Sequence, residues 1–80
     1  MKIEILGTGC AKCRKMREQT QKAISELGIE AEVLKVEDLD EILNYGVLIT
    51  PALVVNGEVK VAGKVPSVAD LKRLLIGVRS

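Results

Sequence analysis

The chain has 80 residues, of which 48% are hydrophobic and 29% charged, and twelve basic residues stand against eleven acidic ones for a net charge of +1. That is enough apolar material for one core and too little chain for a second, so residues 1–80 are expected to form a single domain. The near-neutral balance, with Tyr45 as the one aromatic residue, argues against a nucleic-acid surface, which needs clustered cations or stacking rings.

In chain order, Lys2 to Leu6 alternates Ile3 and Ile5 with Lys2 and Glu4 and predicts a first strand that ends at "GTG". From Cys10 to Leu27, Met16, Thr20, Ala23, Ile24 and Leu27 recur at helical spacing, with Gly28 as the stop. "AEVLKV" predicts a second strand, and Asp38 with Glu41 forms a capping box that opens a short helix ending at Gly46. The longest apolar stretch, "VLITPALVV", is far short of the roughly 20 residues that cross a bilayer and reads as buried strand. Its "ALVV" is followed by Asn56-Gly57 and "EVKVA", a hairpin signature, because both turn residues tolerate positive φ. After Pro66, Ser67 and Asp70 form a second capping box. Val68, Leu71, Leu74, Leu75 and Val78 mark the inward face of a last helix. The order is βαβαββα, an α/β fold with a four-stranded mixed sheet and helices on both faces. Strands joined through helices are expected to pair in parallel.

The chemistry is concentrated in "GTGCAKC". With no cleavable leader or lipidation signal in "MKIEIL", a cytoplasmic location is expected, where a close thiol pair is more often catalytic or metal-binding than structural. A structural staple over so short a loop is worth only roughly 2 kcal/mol. At the start of a helix, Cys10 would sit beside unsatisfied N–H groups and the positive dipole end, which favour the thiolate. Cys13, three residues before Met16, falls on the buried side. Position alone therefore makes Cys10 the attacking and Cys13 the resolving thiol. Arg14, Lys15 and Arg17 read as a solvated face, with Arg14 pairing to Glu18, while Lys12 is kept as a local cation. No acid is placed beneath the thiols, since Glu4 reads as a surface group and Asp38 as a cap. Nicotinamide binding is rejected because Lys12 occupies the third glycine position of a dinucleotide fingerprint. Metal binding by Cys10 and Cys13 stays open: two thiolates can hold Cu(I) or half a zinc site, though the chain has no histidine.

"GTGCAKC", "ITPALVVNG" and "VKVAGKVPS" together resemble the small thioredoxin-like proteins of bacteria and archaea, redox-active disulfide proteins between thioredoxin and glutaredoxin in size. The resemblance implies a thiol–disulfide oxidoreductase whose redox group is the Cys10–Cys13 disulfide, with no added cofactor. It implies a cis bond before Pro51, packed against the thiols, and a Thr50 backbone that pairs with an extended substrate. Gly63 would let a substrate backbone approach, and Gly9, Ala11 and Lys12 would flank the reacting sulfurs. The implied partners are a protein disulfide and an upstream reductase or glutathione, with no nucleic acid and no membrane, and the chain acting as a monomer. Gly9 stands where thioredoxins carry an aromatic residue, and Ala11-Lys12 replaces their glycine-proline. Two further readings use the same residues: a soft-metal carrier resembling copper chaperones, whose order is βαββαβ, and a partner-binding module acting through Thr50 to Val55.

Overall fold

The computed structural model describes residues 1–9 and 11–79. In order the elements are β1 (Lys2–Leu6), α1 (Ala11–Leu27), β2 (Glu32–Val36), α2 (Leu39–Asn44), β3 (Ala52–Val55), β4 (Glu58–Ala62) and α3 (Val68–Arg79). The sheet runs β2-β1-β3-β4. β1 is parallel to β2, with Lys2 opposite Glu32 and Leu6 opposite Val36, and antiparallel to β3, with Ile3 opposite Val55 and Leu6 opposite Ala52. The α/β order and the four-stranded mixed sheet are those expected.

The pairing rule holds for only one of the two helical crossovers. β2 and β3 are joined through α2, yet they run in opposite directions on either side of β1. The reason is reach: a six-residue helix covers about 9 Å, short of the roughly 17 Å needed to return along a five-residue strand. The chain turns back at the same end of the sheet, and that end carries the cysteine motif.

Strand β1 is central, so both of its faces are covered. Ile3 and Ile5 pack with Met16, Ala23, Leu53, Leu71 and Leu75 beneath α1 and α3. Leu6 packs on the other face with Val36, Ile42, Val47, Ala52 and Val54 beneath α2. Removing a side chain such as Leu71 or Leu75 from water contributes about 1.5–3 kcal/mol, and both are fully buried. Inside α1 the hydroxyl of the buried Thr20 donates to the Met16 carbonyl at 2.7 Å, so its burial leaves no polar atom unmatched. Gln19 donates to the Pro66 carbonyl at 2.6 Å and ties α1 to the segment ahead of α3.

The hairpin turn forms at Asn56-Gly57, with φ of 51° and 83°. A bulge between Leu53 and Val54, unforeseen in the alternation, shifts the β3–β4 register. Asp38 caps α2 by accepting from Asp40 N–H at 2.8 Å, and that helix ends at Asn44, short of Gly46. Ser67 caps α3 by accepting from Asp70 N–H at 3.1 Å. The Arg73 guanidinium, and after it the Ser67 hydroxyl, hold the Asp70 carboxyl below its usual range.

Two surface assignments are corrected. Within the apolar run "VLITPALVV", Leu48 is 87% and Ile49 64% exposed. They lie in the segment between α2 and β3, and the run is buried at Val47 and again from Pro51 onward. Glu4, in contrast, is buried at 7% exposure, on the α2 face, where its carboxylate accepts from the Tyr45 hydroxyl at 2.8 Å. A central strand leaves no solvent side for an alternating acid, and the tyrosine supplies the partner that burial demands.

Donation to the Glu4 carboxylate raises the Tyr45 pKa above 10.0, with burial adding to the effect. Folding therefore favours the protonated phenol. That stabilisation is complete below the unfolded value of 10.0 and is lost as pH rises through the higher folded value. Tyr45→Phe is expected to lower the unfolding free energy at neutral pH by about 1–3 kcal/mol, because Glu4 loses its partner. Denaturant titrations across alkaline pH should show this component of the alkaline stability loss absent from the variant.

Candidate active site

The first turns of α1 carry the motif. Ala11 and Lys12 are exposed, whereas Cys13 turns inward at 7% exposure and starts the buried row Cys13, Met16, Thr20, Ala23. The Cys10 assignment lies outside the described residues. Cys13 rests against the end of β1 so closely that a Cβ on Gly7 would lie 2.2 Å from its sulfur and 3.3 Å from its own Cβ. The same position is 3.9 Å from the Thr50 Cβ. Gly7 is thus the point at which the strand end, the first turn of the helix and the Thr50-Pro51 segment converge, and any side chain there would displace the thiol. The backbone of Gly7 is held in place by its N–H, which donates to the Val36 carbonyl at 3.0 Å.

The Thr50–Pro51 peptide bond is cis, as the resemblance implies. Pro51 is fully buried and Thr50 is exposed. The ladders of β3 begin at Ala52, so Thr50 stands ahead of them. Gly63 donates its N–H to the Pro51 carbonyl at 2.9 Å and has φ of 82°. A Cβ on Gly63 would come within 2.9 Å of the Ile49 methyl group. Gly63 therefore has a structural task in addition to any role toward substrate: it makes room for Ile49 beside the cis peptide.

On the other flank, Cys13 borders a cavity of about 130 Å³ whose walls include Gly9 ahead of α1, Arg14 and Arg17 of α1, and Lys35 and Glu37 at the end of β2. The carboxylate near Cys13 is therefore Glu37. Glu4 points to the opposite sheet face, as its partnership with Tyr45 shows. Glu37 pairs loosely with Lys35 at 3.8 Å. The expected Arg14–Glu18 pair does not form among the described ion pairs, and Arg14 instead faces the cavity. Arg17 is only partly solvated: its Nε is closed off from solvent and has no hydrogen-bond partner among the described residues. Sequence reasoning missed Gly7, Lys35 and Glu37. "GTG" after a strand was the available signal for Gly7, but no local signal joins Lys35 and Glu37 to the first turns of α1, some twenty residues earlier in the chain.

No three His, Cys, Asp or Glu side chains among the described residues converge as a ligand cluster. The order differs from the βαββαβ of a copper chaperone because α2 separates β2 from β3. Among the described residues no helix is long and apolar enough to cross a membrane.

A CxxC sequence whose second cysteine lies in the first turn of α1, a cis-proline segment nearby and a mixed four-stranded sheet define a thioredoxin-like fold. The sequence matches the family described as thioredoxin domain over residues 1–76. It is 44% identical over 75 residues to a protein named thioredoxin from Methanothermobacter thermautotrophicus, covering 94% of this chain and 97% of that one. It is also 44% identical over 73 residues to a protein of the same name from Methanocaldococcus jannaschii, covering 91% and 84%. The chain belongs to the thioredoxin domain family, and it is a thiol–disulfide oxidoreductase.

The close approach at Gly7 gives a test with two signs. Gly7→Ala is expected to destabilise the fold by about 1–3 kcal/mol by forcing Cys13 out of place and to slow thiol exchange. Gly77→Ala, inside α3 with nothing within 4 Å of the added methyl, should stabilise by about 0.5–1 kcal/mol. Denaturant midpoints and alkylation rates of the two variants measure both effects.

Proposed function

We propose that the chain reduces protein disulfides by two-step exchange. Cys10 is the attacking nucleophile: its thiolate adds to one substrate sulfur, the substrate S–S bond breaks, and the other substrate sulfur leaves as a thiolate and takes up a proton. Cys13 then gives up its proton and attacks the Cys10 sulfur, forming the Cys10–Cys13 disulfide and releasing the second substrate thiol. Two electrons and two protons pass from protein to substrate. The observation that carries this reading is the burial of Cys13 against Gly7 at the end of β1, a position that Thr50 also borders: a shielded second thiol is protected from outside disulfides and reacts when the first is already bonded.

Substrate backbone lies along the exposed Thr50, next to the buried Pro51, and passes Gly9, Ala11, Lys12 and Gly63. The exposed Leu48 and Ile49 give that surface an apolar margin suited to a protein more than to a small polar disulfide. The dithiol is the whole redox equipment, without a bound cofactor or metal. An upstream reductase or glutathione restores it, the chain works as a monomer, and the reducing cytoplasm supplies the setting.

With Cys13→Ser the second step is blocked. Incubating the reduced variant with an oxidised protein substrate should accumulate a mixed disulfide at Cys10, visible by intact mass and cleaved by dithiothreitol. If no adduct forms while an unaltered partner still binds, the chain is a partner-binding module and the exchange reading fails.

A further inference from the structure

The cavity beside Cys13 has a charge imbalance that exchange chemistry by itself does not need. Arg14, Arg17 and Lys35 face it, and Glu37 is the carboxylate set against them. That carboxylate is 3.8 Å from Lys35 and more than half exposed, so one loosely held acid answers three cations. Arg17 is the informative member. Its Nε is closed off from solvent with no hydrogen-bond partner among the described residues, and a buried donor on a charged group recovers its desolvation cost when an acceptor arrives. The space of about 130 Å³ exceeds several-fold what a single water requires.

We propose that this cavity is an anion subsite that receives a carboxylate carried close to the substrate's disulfide. Arg17 donates to the carboxylate through Nε, and Arg14 and Lys35 supply further positive charge. A guanidinium suits the task because its fixed fork matches the two oxygens of a carboxylate. The location suits it as well: Gly9 and Cys13 both border the cavity, and they bracket the attacking thiol in the chain, so a group a few bonds from the attacked sulfur can reach it. The carboxylate does not react. It raises the occupancy of disulfides that carry it, and Glu37 competes with it for the same cations. This inference rests on the exchange reading above and narrows its substrates to anionic disulfides, whether small molecules or protein segments with an acidic residue beside the cysteine.

The test is single-turnover oxidation of the fully reduced protein by three small disulfides: dithiodipropionate, which is anionic, hydroxyethyl disulfide, which is neutral, and cystamine, which is cationic. Each rate is divided by the rate of the same disulfide with dithiothreitol, which removes intrinsic reactivity. The protein is expected to favour the anionic over the neutral compound by about tenfold, the scale of one hydrogen bond to a charged group, and to disfavour the cation. Arg17→Gln should abolish most of that preference, the exposed Lys35→Gln should reduce it, and Glu37→Gln should increase it. Salt near 1 M, where the screening length is about 3 Å, should weaken it. Paired disulfide peptides with Glu or Gln beside the cysteine identify the source: a Glu preference extends the subsite to protein side chains, and its absence restricts it to small anionic disulfides. Lys35→Gln keeps the test valid if Arg17→Gln does not fold. Equal normalised rates for anionic and neutral compounds, or a preference untouched by both cation variants, would overturn the subsite and leave exchange standing. Failure of the wild-type protein to react with any disulfide would overturn the exchange reading itself.

Discussion

The contact between the end of β1 and the first inward turn of α1 governs the rest of the site. The Cys13 sulfur occupies the volume in which any residue other than glycine at position 7 would place its Cβ. Because the N–H of Gly7 is bonded to Val36 at the end of β2, the strand end cannot retreat without breaking the parallel β1–β2 ladder. The approach therefore sets how far α1 stands above the sheet at its N-terminal end. It also fixes where the Thr50-Pro51 segment passes, since the side chain of Thr50 borders the same vacant position. A thiol confined this closely by the strand end has few directions in which it can react.

The sheet separates two polar systems that the linear sequence interleaves. Glu4 and Ile5 are adjacent in β1, yet they serve opposite faces. Glu4 closes with Tyr45 on the α2 side, while Ile5 borders the cationic cavity on the Cys13 side. One face thus holds a matched acid and phenol, and the other holds cations in excess. Cys13 belongs to the second.

Most of the architecture was legible because it rests on local signals. β1, β3 and β4 appear at their expected residues, since alternation and the Asn56-Gly57 turn are properties of a few neighbouring positions. The buried row of α1 and the Ser67 cap follow from helical spacing and from one side chain. What alternation cannot report is whether a strand is central, and so Glu4 read as exposed when its partner lies 41 residues away in the chain. The run from Val47 to Val55 read as uniformly buried because hydropathy does not register that Leu48 and Ile49 precede the sheet. At the site, the motif residues and the cis proline were legible through resemblance. Gly7, Arg17, Lys35 and Glu37 were not, because their roles arise from β2 and α1 meeting across a parallel pairing of high sequence separation.

The departures from ordinary folding rules also have a location. Elsewhere among the described residues, buried and part-buried polar side chains are matched: Thr20 to Met16, Glu4 to Tyr45 and Gln19 to Pro66. Large apolar side chains lie mostly within the two cores. Around the cysteine motif both habits fail at once. Arg17 keeps a solvent-shielded donor without a partner on one flank, and Leu48 and Ile49 stand in solvent on the other. Neither feature helps the folded chain alone, since the first incurs an uncompensated desolvation cost and the second leaves apolar surface wet. Apolar exposure is not confined to that place, since Leu39, Leu43 and Ile76 are exposed as well, whereas among the described residues the unpartnered buried donor is found at Arg17. In the proposed exchange, the Thr50 flank would meet apolar substrate surface and the Arg17 flank negative charge.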